Sequence, residues 1–218
     1  MSASATADDA ELFRREAMGA FAHEVRTPLT SIRMVMELAR RQSSAGQLSL
    51  DAELAEMLSS SVDDLQRLAD DLQEGSRLER GKLPLSNGPC DLRAAMDAAR
   101  AILQSEHIEL EGPQPAPIEG PWDAPRLVRA IAGFAASTNR IGDGSGSVRF
   151  SCRQQPPEIC LEFASGQPGK DARLIAADAG FAFFHARQLV LAMGGSVHCD
   201  RAERYATITV ALPAGPRL

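Results

Sequence analysis

Of the four histidines in the chain, one sits among residues that could equip it for chemistry. His23 lies in the run Phe21-Ala22-His23-Glu24-Val25-Arg26-Thr27-Pro28-Leu29-Thr30. It falls two residues after Phe21 and two before Val25, so on a helix its ring points away from the apolar stripe and faces solvent. Glu24 can orient or deprotonate an imidazole nitrogen, Thr27 follows one turn later, and Arg26 flanks the same stretch. Pro28 has no amide hydrogen, so it frees the carbonyl of Glu24 and bends or loosens the helix just below the ring. Residue types alone leave two readings open: an imidazole readied for chemistry, or a surface histidine beside an unrelated glutamate.

Two long helices must carry this stretch. From Asp9 to Arg41 the residues Phe21, Val25, Leu29, Ile32, Met36 and Ala39 recur every three or four positions, which predicts one amphipathic helix. A partner is predicted from Ser49 or Leu50 to Arg80, carried by Leu54, Leu58, Val62, Leu65, Leu68 or Ala69, and Leu72. The stretch between them, with Ser43, Ser44 and Gly46, suits a helical-hairpin connection. Each helix would exceed about 40 Å, and a hairpin alone cannot bury both stripes. A second copy closing a four-helix bundle is therefore expected, with Leu29, Ile32, Leu68 and Leu72 supporting His23 from inside it.

After Gly81 the pattern changes. Asp91 can cap a helix through Leu103, a short strand follows at Ile108–Leu110, and Asp123–Thr138 reads as another helix. Strands are predicted at Ser147–Cys152 and Glu158–Ala164, around a turn at Gln154–Pro157. A helix over 182–193 stops at Met193-Gly194-Gly195, and strands follow at Ser196–Cys199 and Tyr205–Leu212. The expected architecture is two-domain: an all-α antiparallel hairpin over residues 9–82, then an α+β two-layer sandwich over 90–213 with helices on one face of a mixed sheet. Only the first eight and last five residues read as loose.

Composition narrows the class. The 218 residues carry 23 Lys and Arg against 29 Asp and Glu, a formal charge of -6, which argues against a nucleic-acid surface. A 44% hydrophobic content can fill a modest core. Apolar runs are broken well before about 18 residues, and Asp8, Asp9 and Glu11 stand where a leader would be basic and then apolar, so no membrane association and a cytoplasmic location are expected. Cys90, Cys152, Cys160 and Cys199 lack metal-ligand spacing and read as free structural thiols. His107 reads as a helix-end residue, His185 as a packing or surface residue, His198 as a strand residue without a ligand cluster, and Trp122 as an anchor between helix and sheet.

The ten residues around His23 resemble the phosphoacceptor box of sensor histidine kinases. The resemblance continues through Asp64-Leu65-Gln66-Arg67-Leu68-Ala69-Asp70-Asp71-Leu72, Ser76-Arg77-Leu78-Glu79-Arg80-Gly81-Lys82-Leu83 and Cys90-Asp91-Leu92, and covers roughly residues 12–213. It implies a dimerisation and histidine-phosphotransfer hairpin joined to a nucleotide-binding domain. It also implies that His23 is the nitrogen nucleophile, that Glu24 polarises it, and that Thr27 positions water for dephosphorylating a partner's aspartyl phosphate. Arg26 would steer the anion or contact the partner, which would be a response-regulator receiver domain. No input domain is expected within this span, so signals are expected to arrive through a protein partner.

The second domain resembles the family's ATPase domain along its length but departs from it at the ligand. Gly133 and Ser137 stand where the family places two asparagines, the second holding Mg²⁺, and Asn139 falls on another side of the helix. The strand end Ala164-Ser165-Gly166-Gln167-Pro168-Gly169 lacks the adenine-binding aspartate, with Glu162 inside the strand. About ten residues separate Gly169 from Gly180, short for a lid over the phosphates. In the phosphate loop Gly180-Phe181-Ala182-Phe183-Phe184, Ala182 restricts the backbone and a phenylalanine can fill the vacated space. Hydrogen bonds to charged groups are worth about 1.5–3 kcal/mol each, so losing two or three lowers affinity by orders of magnitude. The expectation is that ATP binding is lost, that the chain holds no cofactor or metal, and that Mg²⁺ comes with the partner receiver. The leading functional expectation is a homodimeric histidine phosphotransferase of a phosphorelay. The alternatives are a non-enzymatic adaptor, or a kinase core or phosphatase with residual activity.

Overall fold

The computed structural model describes residues 3–42, 50–166, 179–202 and 205–214. The expected hairpin connection at 43–49, the shortened lid including Gly169, and the outermost residues of both tails lie outside the described residues. The chain divides into two units, Met1–Gln73 and Glu74–Leu218.

The first unit holds α1 (Ala3–Gln42) and most of α2 (Ala52–Glu79). Both follow from the predicted periodicity. Exposed ion pairs one turn apart, Arg15 with Glu11 and Arg41 with Glu37, each at 3.2 Å, add a few tenths of a kcal/mol apiece. Arg40 and Arg41 complement the dipole in the last turn of α1. Helix α2 starts two residues later than Leu50 because Asp51 caps it, its Oδ1 accepting from the Leu54 amide at 2.9 Å. Val35, Ala39 and Leu54 are buried. Leu29, expected inside, is 47% exposed in the single chain, and Met18, Met34 and Val62 are likewise exposed.

The second unit begins within α2 and continues through β1 (Gly88–Asp91), α3 (Leu92–Ser105), β2 (Glu109–Glu111), β3 (Glu119–Trp122) and α4 (Ala124–Ile141). It ends with β4 (Ser147–Gln155), β5 (Glu158–Gly166), α5 (Phe181–Ala192), β6 (Ser196–Ala202) and β7 (Tyr205–Pro213). Strands β2-β4-β5-β7-β6 form a mixed sheet, parallel only between β2 and β4. Helix α4 lies between α3 and α5 and against β4, β5 and β7. One sheet face supplies the core: Val148 and Phe150, Ile159, Leu161 and Phe163, then Ile208, Val210 and Leu212 are all buried, and the register sets Phe150 opposite Phe163 and Phe163 opposite Ile208. Phe134 of α4 joins this layer, 6.1 Å from Phe163 and 6.2 Å from Phe183 of α5 between ring centroids.

Two strands were not predicted. β1 and β3 pair as a separate antiparallel ribbon, with Gly88 opposite Trp122. Their four-residue runs contain Pro89 and Pro121 in place of an alternating apolar pattern, so local sequence hides them. Trp122 is buried as expected and donates from Nε1 to the Pro213 carbonyl at 3.0 Å. The glycine stop of α5 also forms: the Gly195 amide donates to the Val190 carbonyl at 2.9 Å while Gly194 takes φ +85°. His107 holds the equivalent left-handed position after α3, at φ +57°. Cys90, Cys152 and Cys160 are free thiols, as expected.

The caps at Asp91 and Asp123 form where the sequence places them, the Asp91 carboxylate accepting from the Arg93 amide at 2.9 Å. Asp123 is buried. Burial pushes its pKa up, but the Ser86 amide at 2.9 Å and Arg126 outweigh that and hold the carboxyl below its ordinary value. A depressed folded pKa gives stability that is present above the unfolded value and lost as pH falls through the folded one. Asp123→Ala should therefore cost about 1–3 kcal/mol at neutral pH, and the gap to wild type should narrow below about pH 4, as read by urea unfolding at several pH values.

Candidate functional site

The α1 helix runs unbroken through Pro28. His23 is exposed, and Thr27, four residues on, is exposed on the same side. Arg26 is exposed at the edge of that face. Glu24 is half-buried and turns about 100° from His23 around the helix, so adjacency in sequence does not place it on the face of the ring. Below the ring, two hydroxyls bond back to the helix: Thr30 Oγ1 donates to the Arg26 carbonyl at 2.8 Å and Ser31 Oγ to the Thr27 carbonyl at 3.3 Å. Such back-bonds loosen a helix where Pro28 has already removed an amide donor. Met34 and Leu38, eleven and fifteen residues past His23, are exposed on its side of the helix. Sequence reasoning passed over these two; their spacing from His23 was the available signal.

In the second unit, the positions with a family resemblance are reached by packing. Gly133 faces α5, where an added Cβ would lie 3.2 Å from both the Ala182 carbonyl oxygen and the Ala186 Cβ. Ser137 is buried, and its Oγ has no hydrogen-bond partner among the described residues. Gly166 ends β5 at φ +78°, and Gly180 precedes α5 at φ +83°. Ala182 lies in the first turn of α5, while Phe181, Phe183 and Phe184 around it are buried. Among the described residues no group of three or more His, Cys, Asp or Glu side chains could hold a metal ion.

Two acidic contacts were not foreseen. Ser165, in the strand end that lacks an aspartate, donates to Asp143 Oδ1 at 3.0 Å. The Ser145 side chain and amide, followed by Ser165, hold the Asp143 carboxyl below its ordinary value. His185, expected to pack or face solvent, is buried with Nε2 3.0 Å from Glu74 Oε2. Both pairings join residues far apart in sequence, so no local pattern announces them. His198 is exposed on β6 with Nε2 3.2 Å from Asp200 Oδ1.

The helical hairpin and its exposed histidine have a counterpart among known families. Residues 13–81 match the His Kinase A (phospho-acceptor) domain. The chain is 28% identical over 170 residues to the signal transduction histidine-protein kinase BaeS of Escherichia coli, covering 76% of this chain and 36% of that protein. It is 31% identical over 156 residues to the probable sensor histidine kinase TcrY of Mycobacterium tuberculosis, covering 70% of this chain and 32% of that one. The chain thus spans about a third of the length of these curated relatives. Among solved structures, Acinetobacter baumannii histidine kinase AdeS superposes with a TM-score of 0.67 at 18% identity, over 88% of this chain and 98% of that one. Histidine kinase ThkA in complex with response regulator protein TrrA superposes with a TM-score of 0.55 at 13% identity, over 88% of this chain and 59% of that one. The fold is that of a histidine kinase core, a phospho-acceptor hairpin followed by an ATPase-type α/β unit. No helix among the described residues is long and apolar enough to cross a membrane.

The narrow gap at Gly133 can be tested. Gly133→Ala should stay within about 1 kcal/mol of wild type, since better helix propensity offsets a tight contact, whereas Gly133→Asn should cost about 1–3 kcal/mol by forcing α4 from α5. Urea unfolding would read both, and an asparagine variant as stable as wild type would show that the gap has room.

Proposed function

We propose that the chain is a histidine phosphotransfer protein of a two-component phosphorelay. The observation that carries this reading is the pairing of an exposed His23, on a helix matched to a phospho-acceptor domain, with an α/β unit whose Gly133 face is filled by Ala182 and Ala186. The donor is the aspartyl phosphate of a receiver domain. One imidazole nitrogen of His23 attacks phosphorus, the N–P bond forms as the acyl phosphate P–O bond breaks, and the donor aspartate leaves as a carboxylate. In the second step an aspartate of another receiver takes the phosphoryl group, and His23 is released. Thr27 and Arg26 lie beside the reacting ring, Arg26 meeting the partner's anionic surface, and Glu24 tunes the imidazole from its flank. Met34 and Leu38 extend the contact down α1. Positioning dominates such a transfer, and the receiver supplies its own Mg²⁺.

The residues of the α/β unit do not fit Mg²⁺-ATP. Gly133 offers no ligand and no room for one, Ser137 is sealed, and Mg²⁺ requires near-octahedral oxygen donors. This supports a scaffold role for the unit. The exposed Met18, Leu29 and Val62 support a homodimer, because a four-helix bundle would bury them. The kinase names of the curated relatives, with Thr27 one turn after His23, favour a second reading as a sensor-kinase core or response-regulator phosphatase.

Mixing the chain with a radiolabelled phospho-receiver should give acid-labile label on wild type and none on His23→Ala. Label on the variant would remove His23 from the reaction. Rapid release of free phosphate would favour the phosphatase, and untouched receiver phosphate would favour an adaptor that only binds. With Mg²⁺-ATP alone the wild type should not label itself, and efficient autophosphorylation would establish the kinase.

A further inference from the structure

Three basic side chains of the α/β unit converge on one carboxylate. Glu74 places Oε1 3.0 Å from Arg126 Nε, and Oε2 2.6 Å from Arg129 Nη1 and 3.0 Å from His185 Nε2. Arg126 also pairs with Asp123. The arginines come from the first two turns of α4 and His185 from α5, so two helices aim donors at a single point. The side chains are 5% exposed for His185, 15% for Glu74 and 19% for Arg126, while Arg129 at 39% forms the open edge.

The carboxylates of Glu74 and Asp123 both lie against the Arg126 guanidinium, and Glu74 reaches Arg129 and His185 as well. Withdrawing Glu74 would break three contacts to basic side chains at once, and another anion could take them up. Paired guanidinium groups present N–H forks that suit phosphate as well as carboxylate. Beyond Glu74, α2 closes at Gly81, whose φ is +62°, with the Gly81 and Lys82 amides donating to the Leu78 and Arg77 carbonyls at 3.0 and 2.9 Å. Gly75, next to Glu74, is a poor helix former, and Glu79 accepts from Gln188 Nε2 at 3.1 Å. Exchange at the cluster requires that the Glu74 contacts be traded for those of the anion, and it removes the tie of α2 to Arg126, Arg129 and His185.

We propose that Arg126, Arg129 and His185 form an oxyanion site that Glu74 holds closed, and that a phosphate-class anion exchanges with the Glu74 carboxylate and frees the last turn of α2. The anion is either inorganic phosphate or a phosphorylated side chain, and both share the chemistry the cluster recognises.

In the whole 218-residue chain, Glu74→Gln removes the resident charge with little change of shape. By isothermal titration it should bind inorganic phosphate at least ten-fold more tightly than wild type, and adding Arg129→Ala should abolish the gain. In the wild-type chain, millimolar phosphate should accelerate hydrogen exchange at amides 75–79, and chloride at equal ionic strength should not. A phosphoserine peptide that produces these effects where inorganic phosphate does not would assign the site to a phosphorylated side chain. A Glu74→Gln variant with no gain for either probe would overturn the proposal. Should that variant fail to fold, unchanged exchange at 75–79 in wild type with both probes would overturn it instead.

Discussion

Helix α4 has to close against several neighbours at once, and this constraint sets what the α/β unit can do. Its apolar side is committed to the sheet, where Leu127, Ile131 and Phe134 are buried. Arg126, Gly133 and Ser137 fall within an arc of about 40° on another side. Along that arc the helix meets Glu74 at one end and the small residues Ala182 and Ala186 further on. A glycine in a helix interior costs about 1 kcal/mol against alanine, so its presence at 133 marks a close helix–helix approach. At position 133 this face of α4 closes against Ala182 and Ala186 of α5.

The hairpin presents the opposite situation. Val35 and Ala39 are fully buried, yet Leu12, Met18, Leu29, Met34 and Val62 remain exposed. A pair of antiparallel helices can hide only one stripe of each partner, and a 40-residue helix carries more apolar surface than its 28-residue neighbour can cover. Meanwhile Thr30 and Ser31 direct their hydroxyls to carbonyls of the same helix beside Pro28, which softens α1 one turn below His23. The His23 ring therefore stands on a segment whose bending is locally tolerated, with the helix held by ordinary packing further along.

What could be read from the sequence follows the range of each interaction. Helix period placed His23 and Thr27 together on an exposed face, and local capping chemistry marked the starts of α3 and α4 at Asp91 and Asp123. Alternation marked β4, β5 and β7 because one face of each is buried. The β1–β3 ribbon left no such trace, since prolines at 89 and 121 break the pattern and the strands stand about thirty residues apart. The contacts of Ser165 with Asp143 and of His185 with Glu74 are equally silent, being defined by tertiary packing alone. Leu29 shows a related limit: periodicity puts it on an apolar face without saying whether the same chain or a second copy covers it.

The core of the α/β unit is tied together by aromatic rings that cross its layers. Phe150, Phe163, Phe134, Phe183 and Phe184 form a continuous chain of ring contacts from the sheet through α4 to α5, with centroid spacings between 5.4 and 6.2 Å. Each buried phenylalanine contributes about 1.5–3 kcal/mol through removal from water, before any gain from ring geometry. Phe183 and Phe184 belong to the turn of α5 that follows Gly180, the segment where the resemblance places phosphate contacts. Their buried side chains turn that segment inward and join it to the core, so the start of α5 is fixed by packing with α4 and the sheet.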